Sequence, residues 1–170
     1  MNLTLRKMTV EDVSAVVDLD QKSFSLPWPE RSFRFELTDN PASRCWVAEL
    51  EGRVVGMIVV WLIVDEAHVA TIATHPEYRR QGIGRRLLAY ALRHMIPDGA
   101  HSSFLEVRES NLAAQEMYRK FGYEVTGRRR RYYRDNDEDA ILMSLASLEI
   151  ERLPVDEERS TLDKDTRNER

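Results

Sequence analysis

Cysteine is nearly missing from this chain of 170 residues, with Cys45 the only one. That excludes a disulfide framework and a cysteine cluster for a metal, so no metal is expected. A lone cysteine reads as a small core hydrophobe. Long apolar runs are missing too. The longest, Val54 to Val64, is too short to span a bilayer and contains Gly56. It reads as a strand. The N-terminus shows no signal-peptide pattern, so the expectation is a cytoplasmic protein without membrane attachment. There is no excess of positive charge: 25 Lys and Arg stand against 29 Asp and Glu, a net charge of -4. That balance argues against a protein built to coat nucleic acid. No internal repeat or low-complexity segment stands out.

What is present suits one globular domain. Hydrophobic residues make up 42% and charged residues 32% of the chain, enough of each for a core and a solvated surface. Leu3 to Met8 alternates as a first strand. Thr9 caps a helix with Asp12 standing in for the capping-box glutamate, and Val13, Val16 and Val17 continue it to Phe24. Leu26-Pro27-Trp28-Pro29 interrupts the chain before a second helix over 30–38. Three strands follow with tight turns, 44–50, 53–64 and 67–74, which predicts an antiparallel meander. A helix over 82–95 and a strand over 103–108 come next. A right-handed crossover would let that strand run parallel to 67–74. Ser110 or Asn111 caps a helix whose inward face is Ala114, Met117, Tyr118 and Phe121, with Gly122 closing it. Strands over 123–131 and 140–145 flank an acidic loop. From Glu149 onward the chain is mostly charged or small and polar, and 151–170 reads as a frayed or disordered tail.

The stretch Ala67 to Leu88 organises the rest. It runs from an apolar strand through Arg79-Arg80-Gln81-Gly82-Ile83-Gly84 into an amphipathic helix. Glycine allows a sharp bend and close backbone approach. The helix start offers free N–H groups and the positive end of its dipole. With Arg79, Arg80, Arg85 and Arg86 around it, this is a phosphate cradle; the plain alternative is a strand-to-helix turn with solvated arginines. A P-loop is excluded, because no Lys-Ser or Lys-Thr follows the glycines. A dinucleotide turn lacks its third glycine at Leu87.

Arg79–Gly84 matches [RQ]-x-x-G-x-[GA] and resembles the acetyl-CoA motif of the GNAT N-acetyltransferases. Three further stretches extend the likeness in family order: Phe24–Glu30, Leu105-Glu106-Val107-Arg108-Glu109-Ser110-Asn111 through Tyr118 and Gly122-Tyr123, and Arg131-Tyr132-Tyr133 with Glu138-Asp139-Ala140. Together they cover roughly residues 1–145. They are most similar to the branch that acetylates protein N-termini, including ribosomal-protein alanine N-acetyltransferases. The resemblance implies an α/β (α+β) fold with a mixed, mostly antiparallel sheet splayed open and flanked by helices. The domain would span 1–148, with 149–170 as the charged tail.

The same resemblance implies the chemistry. Acetyl-CoA would lay its pyrophosphate on Arg79, Arg80, Gln81, Gly82, Ile83 and Gly84. Its pantetheine arm would pair with the backbone of Ile72, Ala73 and Thr74, which could also supply oxyanion donors. Asn111 is read as a helix cap, a pantetheine contact, or both through different amide atoms. Glu106 corresponds to the family's general base, acting through water; the plain alternative is a solvated strand carboxylate. Tyr118 corresponds to the acid that protonates the CoA sulfur; the alternative is a core tyrosine. Trp28, Tyr132 and Tyr133 would clamp an extended acceptor peptide, with loop packing the equal alternative for Trp28. Arg128–Arg131 reads as a solvated strand face or electrostatic guide, and His68 as a satisfied strand histidine. An α-amine has a pKa of about 7.7–8.0 and lysine about 10.4, so at neutral pH roughly a tenth of α-amines are neutral but only about one lysine in two thousand. The expectation is therefore direct transfer in a ternary complex to a protein N-terminus, with a ribosomal protein as one candidate partner. Acetylation of a lysine or small amine, and a non-catalytic acetyl-CoA-binding module, are the rival readings.

Overall fold

The computed structural model of the protein describes residues 2–154. Its strands are β1 (Leu3–Lys7), β2 (Ser43–Leu50), β3 (Arg53–Ile63), β4 (Glu66–Thr74), β5 (Ser102–Arg108), β6 (Glu124–Arg129) and β7 (Ala140–Leu145). The helices are α1 (Val13–Ser23), α2 (Glu30–Thr38), α3 (Ile83–Met95) and α4 (Leu112–Phe121). All the strands join one sheet in the order β1-β2-β3-β4-β5-β7-β6. Tight turns fold β2, β3 and β4 into the expected antiparallel meander. The α3 crossover brings β5 parallel to β4, the sheet's one parallel pairing.

Alternating side chains divide two cores between the faces of the sheet. On one face, Leu87, Leu88, Leu92 and Met95 of α3 pack with Trp46, Ile58 and Leu105, and Tyr118 and Phe121 of α4 join them. On the other, Val13, Val16, Leu19 and Phe33 from α1 and α2 cover Val47, Met57 and Val59. Thr9 and Asp12 cooperate as the sequence implies: the Thr9 N–H donates to Asp12 Oδ2 at 2.8 Å. A short 3₁₀ turn, Val10–Asp12, precedes α1. Arg6 grips the same carboxylate at 2.7 and 2.8 Å and holds its ionisation below the usual range.

Three boundaries differ from expectation. Strand β6 starts at Glu124 because Tyr123 turns inward, where its hydroxyl donates to Ser103 Oγ at 2.7 Å. It ends at Arg129, and Arg131 takes a left-handed φ of 51°. The segment after Leu148 begins as part of the fold. Ile150–Arg152 forms a 3₁₀ turn, Leu153 is buried against the α3 core, and Arg93 donates to the Leu153 and Pro154 carbonyls. The rest of the expected tail, 155–170, lies outside the described residues. Among the described residues, no helix is long and apolar enough to cross a membrane.

Gly56 sets how closely α3 approaches the sheet. A Cβ there would fall 2.9 Å from Leu87 Cδ1 and 3.1 Å from Ile83 Cγ2. Gly56→Val should therefore overpack this contact and cost about 1–3 kcal/mol, read as a lower urea midpoint; an unchanged midpoint would show that α3 moves away freely.

Candidate active site

β4 and β5 begin side by side and then separate. Their parallel pairing runs from Glu66–Ser102 to Val69–Leu105 and stops. Both strands continue, β4 to Thr74 and β5 to Arg108, but each then pairs only with its outer neighbour. The register of β3 against β4 shifts here: Val60 faces Val69, Val59 faces Thr71, and Ala70 is the extra residue. Such a bulge bends and twists its strand. A wedge opens, with one β4 edge from Ala70 to Thr74 unshared by another strand. This holds Ile72, Ala73 and Thr74 where an extended amide chain can pair with them. The Thr74 carbonyl already accepts a bond from Arg79 Nε at 3.3 Å.

The cradle lies at the end of that edge. Arg80 and Gly82 take left-handed conformations, φ 63° and 78°, on either side of Gln81. Gly82 is the N-cap of α3 and supplies no capping side chain. Its carbonyl accepts the Arg86 N–H, which leaves the N–H groups of Ile83, Gly84 and Arg85 without helical acceptors. Left-handed turns beside a bare helix start form an anion-binding concavity. The Ile83 side chain is buried in the core, so only its backbone faces a ligand. Gly82 serves the bend itself. Gly84 is helical, and a Cβ there would meet Thr74 Oγ1 and Met117 Sδ at ordinary distances, 3.6 and 3.7 Å. The residues fit a pyrophosphate.

Beyond the wedge, β5 carries Glu106 away from the α3 core, into which Leu105 and Val107 point. Arg129 Nε lies 3.3 Å from Glu106 Oε1. The neighbouring Glu106 carboxylate is the main reason the Tyr132 ionisation is raised. The Tyr132 and Tyr133 rings meet edge to face with centroids 5.1 Å apart. Burial chiefly pushes Tyr133 up to about 12, with Arg108 pulling it down and Glu106 pushing it up. Tyr118 approaches from α4 beneath. It is buried, it packs against Tyr123 at 5.7 Å, and burial first, then Tyr133, drive its ionisation up. Tyr133 thus lies in the field of Glu106 and itself acts on Tyr118. Asn111 caps α4 through Oδ1, which accepts the Ala114 N–H at 3.2 Å, so its Nδ2 is the atom left for a pantetheine contact.

Trp28 stands apart from this group. Its backbone N–H donates to the buried Asp20 carboxylate at 2.7 Å, and its ring lies against Phe33 at 5.3 Å. It helps line a groove of about 410 Å³ with Phe35 and Trp61. The Trp28 ring is thus part of the α1 and α2 packing. Its loop still reaches the acceptor side through Ser25, whose Oγ donates to Asp135 Oδ2. The arginine run divides. Arg128 pairs with Glu109 and Asp139 at 2.7 and 2.8 Å, while Arg129 turns to Glu106 and Tyr132. These are local ion pairs on opposite sides of a strand rather than one polyanion patch. His68 is satisfied by Glu66 at 2.8 Å and stacks near Phe104. Sequence reading missed Arg129 and Arg108 as parts of the site. The first was noticed only as one of a charge run.

The family model for the Acetyltransferase (GNAT) family matches residues 13–123. The chain belongs to that family. As a GNAT enzyme it is an acyltransferase with acetyl-CoA as its acetyl donor. It is 40% identical over 139 residues to a putative ribosomal protein bS18-alanine N-acetyltransferase of Bacillus subtilis, covering 82% of this chain and 92% of that one. It is 32% identical over 153 residues to the bS18-alanine N-acetyltransferase of Escherichia coli K12, covering 84% and 96%. The crystal structure of the Escherichia coli ribosomal-protein-S18-alanine N-acetyltransferase superposes with a TM-score of 0.78 at 31% identity, covering 90% of this GNAT chain and 99% of that one.

The cradle conformation makes a direct demand on Gly82. A β-branched residue at that φ costs roughly 1–2 kcal/mol, so Gly82→Val should weaken acetyl-CoA binding about 5- to 30-fold by calorimetry. Parent affinity would show that the bend is not what holds the coenzyme.

Proposed function

We propose that the protein acetylates the N-terminal α-amine of a ribosomal protein, the alanine of bS18, by direct transfer in a ternary complex in the cytoplasm. The observation that carries the chemistry is the wedge where β4 and β5 separate, with Glu106 on one face of β5 and Tyr118 buried in the core on the other; in this reading the two work from opposite sides of the gap. The activity named for the relatives supports bS18 as the acceptor. The arrangement supports the following roles.

Acetyl-CoA binds along the unshared β4 edge at Ile72, Ala73 and Thr74, with its pyrophosphate on Arg79–Gly84. Backbone N–H groups of that edge stabilise the oxyanion as the amine adds to the thioester carbonyl. Glu106 receives the ammonium proton through water. The C–S bond then breaks, and Tyr118 gives its proton to the departing thiolate. Burial opposes Tyr118 ionisation, so the phenol still carries its proton when the thiolate departs. Tyr132 and Tyr133 wall the acceptor side. A terminal amine needs only modest base assistance, since about a tenth of it is neutral at pH 7.

Peptides bearing the bS18 N-terminus, with the α-amine free or blocked, test the reading directly. Acetylation of the free α-amine alone is the expected result; preferred turnover of lysine side chains or a free polyamine would refute it. Glu106→Gln should lower kcat by about 10²–10⁴, with acetyl-CoA affinity kept.

The pH dependence has a definite sign. The Tyr118 ionisation is raised, so its acid form persists above the ordinary value of about 10. In the parent enzyme kcat/KM should rise between pH 7 and 9 as the acceptor amine deprotonates, with no loss from Tyr118 in that window. A downturn below pH 9 that disappears in Tyr118→Phe would contradict the assignment. Conversely, folding stability contributed by neutral Tyr118 is present below pH 10 and lost above it.

A further inference from the structure

Arg108 follows Glu106 by two residues on β5 and lies on the same face of the sheet. Its guanidinium gathers groups from two separate segments. From the segment between β6 and β7, Asp135 Oδ2 accepts at 2.9 Å and Asn136 Oδ1 at 3.3 Å, while the Tyr133 ring lies under the guanidinium plane with 3.9 Å to its centroid. From the segment between α1 and α2, Ser25 Oγ accepts at 3.4 Å. Ser25 also donates to Asp135. The Arg108 and Asp135 side chains are only 23% and 21% exposed, so their ion pair is partly shielded from solvent.

We propose that Arg108 is the positioning residue of the acceptor site, a latch that joins its two walls and fixes the Tyr133 ring beside Glu106. The proposal rests on the acceptor-site reading above. The chemistry of the contact calls for arginine. A flat guanidinium offers one face to an aromatic ring and its N–H edge to several acceptors at once, whereas an ammonium is a compact point charge. Each wall taken alone is a loop with few apolar anchors; Phe24 and Leu26 are exposed, as is Tyr132. The latch therefore replaces a core. Arg108 touches neither the cradle nor the β4 edge, so its effect belongs to acceptor binding rather than to acetyl-CoA. Preorganisation of this kind lowers the ordering cost that the acceptor would otherwise meet.

Two measurements on Arg108→Gln and Arg108→Lys test this. In steady-state assays the KM for the acceptor should rise about tenfold or more, while kcat and acetyl-CoA affinity hold at parent values. Lysine should not rescue, and Ser25→Ala should shift KM in the same direction by less. In hydrogen exchange, residues 24–29 and 132–139 should lose protection together, with α3 unaffected. Unchanged exchange in those two segments overturns the latch, whatever the acceptor proves to be. Parent KM in both variants overturns it as well, and so does an equal fall in kcat and acetyl-CoA affinity. A parent enzyme that acetylates no peptide N-terminus would instead refute the functional reading, and the exchange data would still decide the latch.

Discussion

Backbone N–H and C=O groups inside a folded sheet must find partners, and β4 beyond Val69 has lost one side of its ladder. The neighbouring strand that should supply them has turned away. The Ala70 bulge bends β4, α3 begins at its end with bare amides, and β5 carries Glu106 down the opposite wall. An extended, amide-bearing ligand with an anionic end is the complement of those demands: one edge to pair and one helix start to neutralise. Acetyl-CoA has that shape. Elsewhere the sheet separates the α1 and α2 core from the α3 and α4 core; here the two strands part and the sheet is interrupted.

Two arginine clusters that look alike in sequence serve opposite ends. Around the cradle, charge accompanies a left-handed turn and unpaired helical amides, a setting that attracts anions from outside. In β6, acids of the same chain consume the charge: Arg128 lies between Glu109 and Asp139, and Arg129 beside Glu106. The difference lies in what stands opposite, which no count of basic residues reveals. The same holds for the tyrosines. Tyr118 and Tyr123 are buried in the core, while Tyr132 and Tyr133 meet edge to face outside it, Tyr132 exposed.

The local parts of the fold were legible because each depends on short spacing. Alternation marked the strands, the i, i+3, i+4 pattern placed Tyr118 inward, and Gly82 announced the bend. Glu106 was legible through its motif and its place opposite the buried Leu105 and Val107. What escaped depends on partners far away in the chain. Ser25 meets Arg108 across 83 residues, and Arg129 meets Glu106 only through the pairing of β6, β7 and β5. Trp28 was read equally as clamp and as packing, and Phe33 and Asp20, both outside its motif, account for the packing. The anchoring at Leu153 escaped because one apolar residue among charged neighbours carries no periodic signal, although it fills a place beside α3.

Helix α3 has a separate task at each end. Its first turn offers bare backbone N–H groups, and Arg93 near its last turn holds the carbonyls of Leu153 and Pro154. Ten residues separate Ile83 from Arg93, about 15 Å at the helical rise. The last described residues, Leu153 and Pro154, are thus held far from the bare amides at the start of α3. Loss of the Arg93 guanidinium would loosen that far clasp without reaching the bare amides of the first turn.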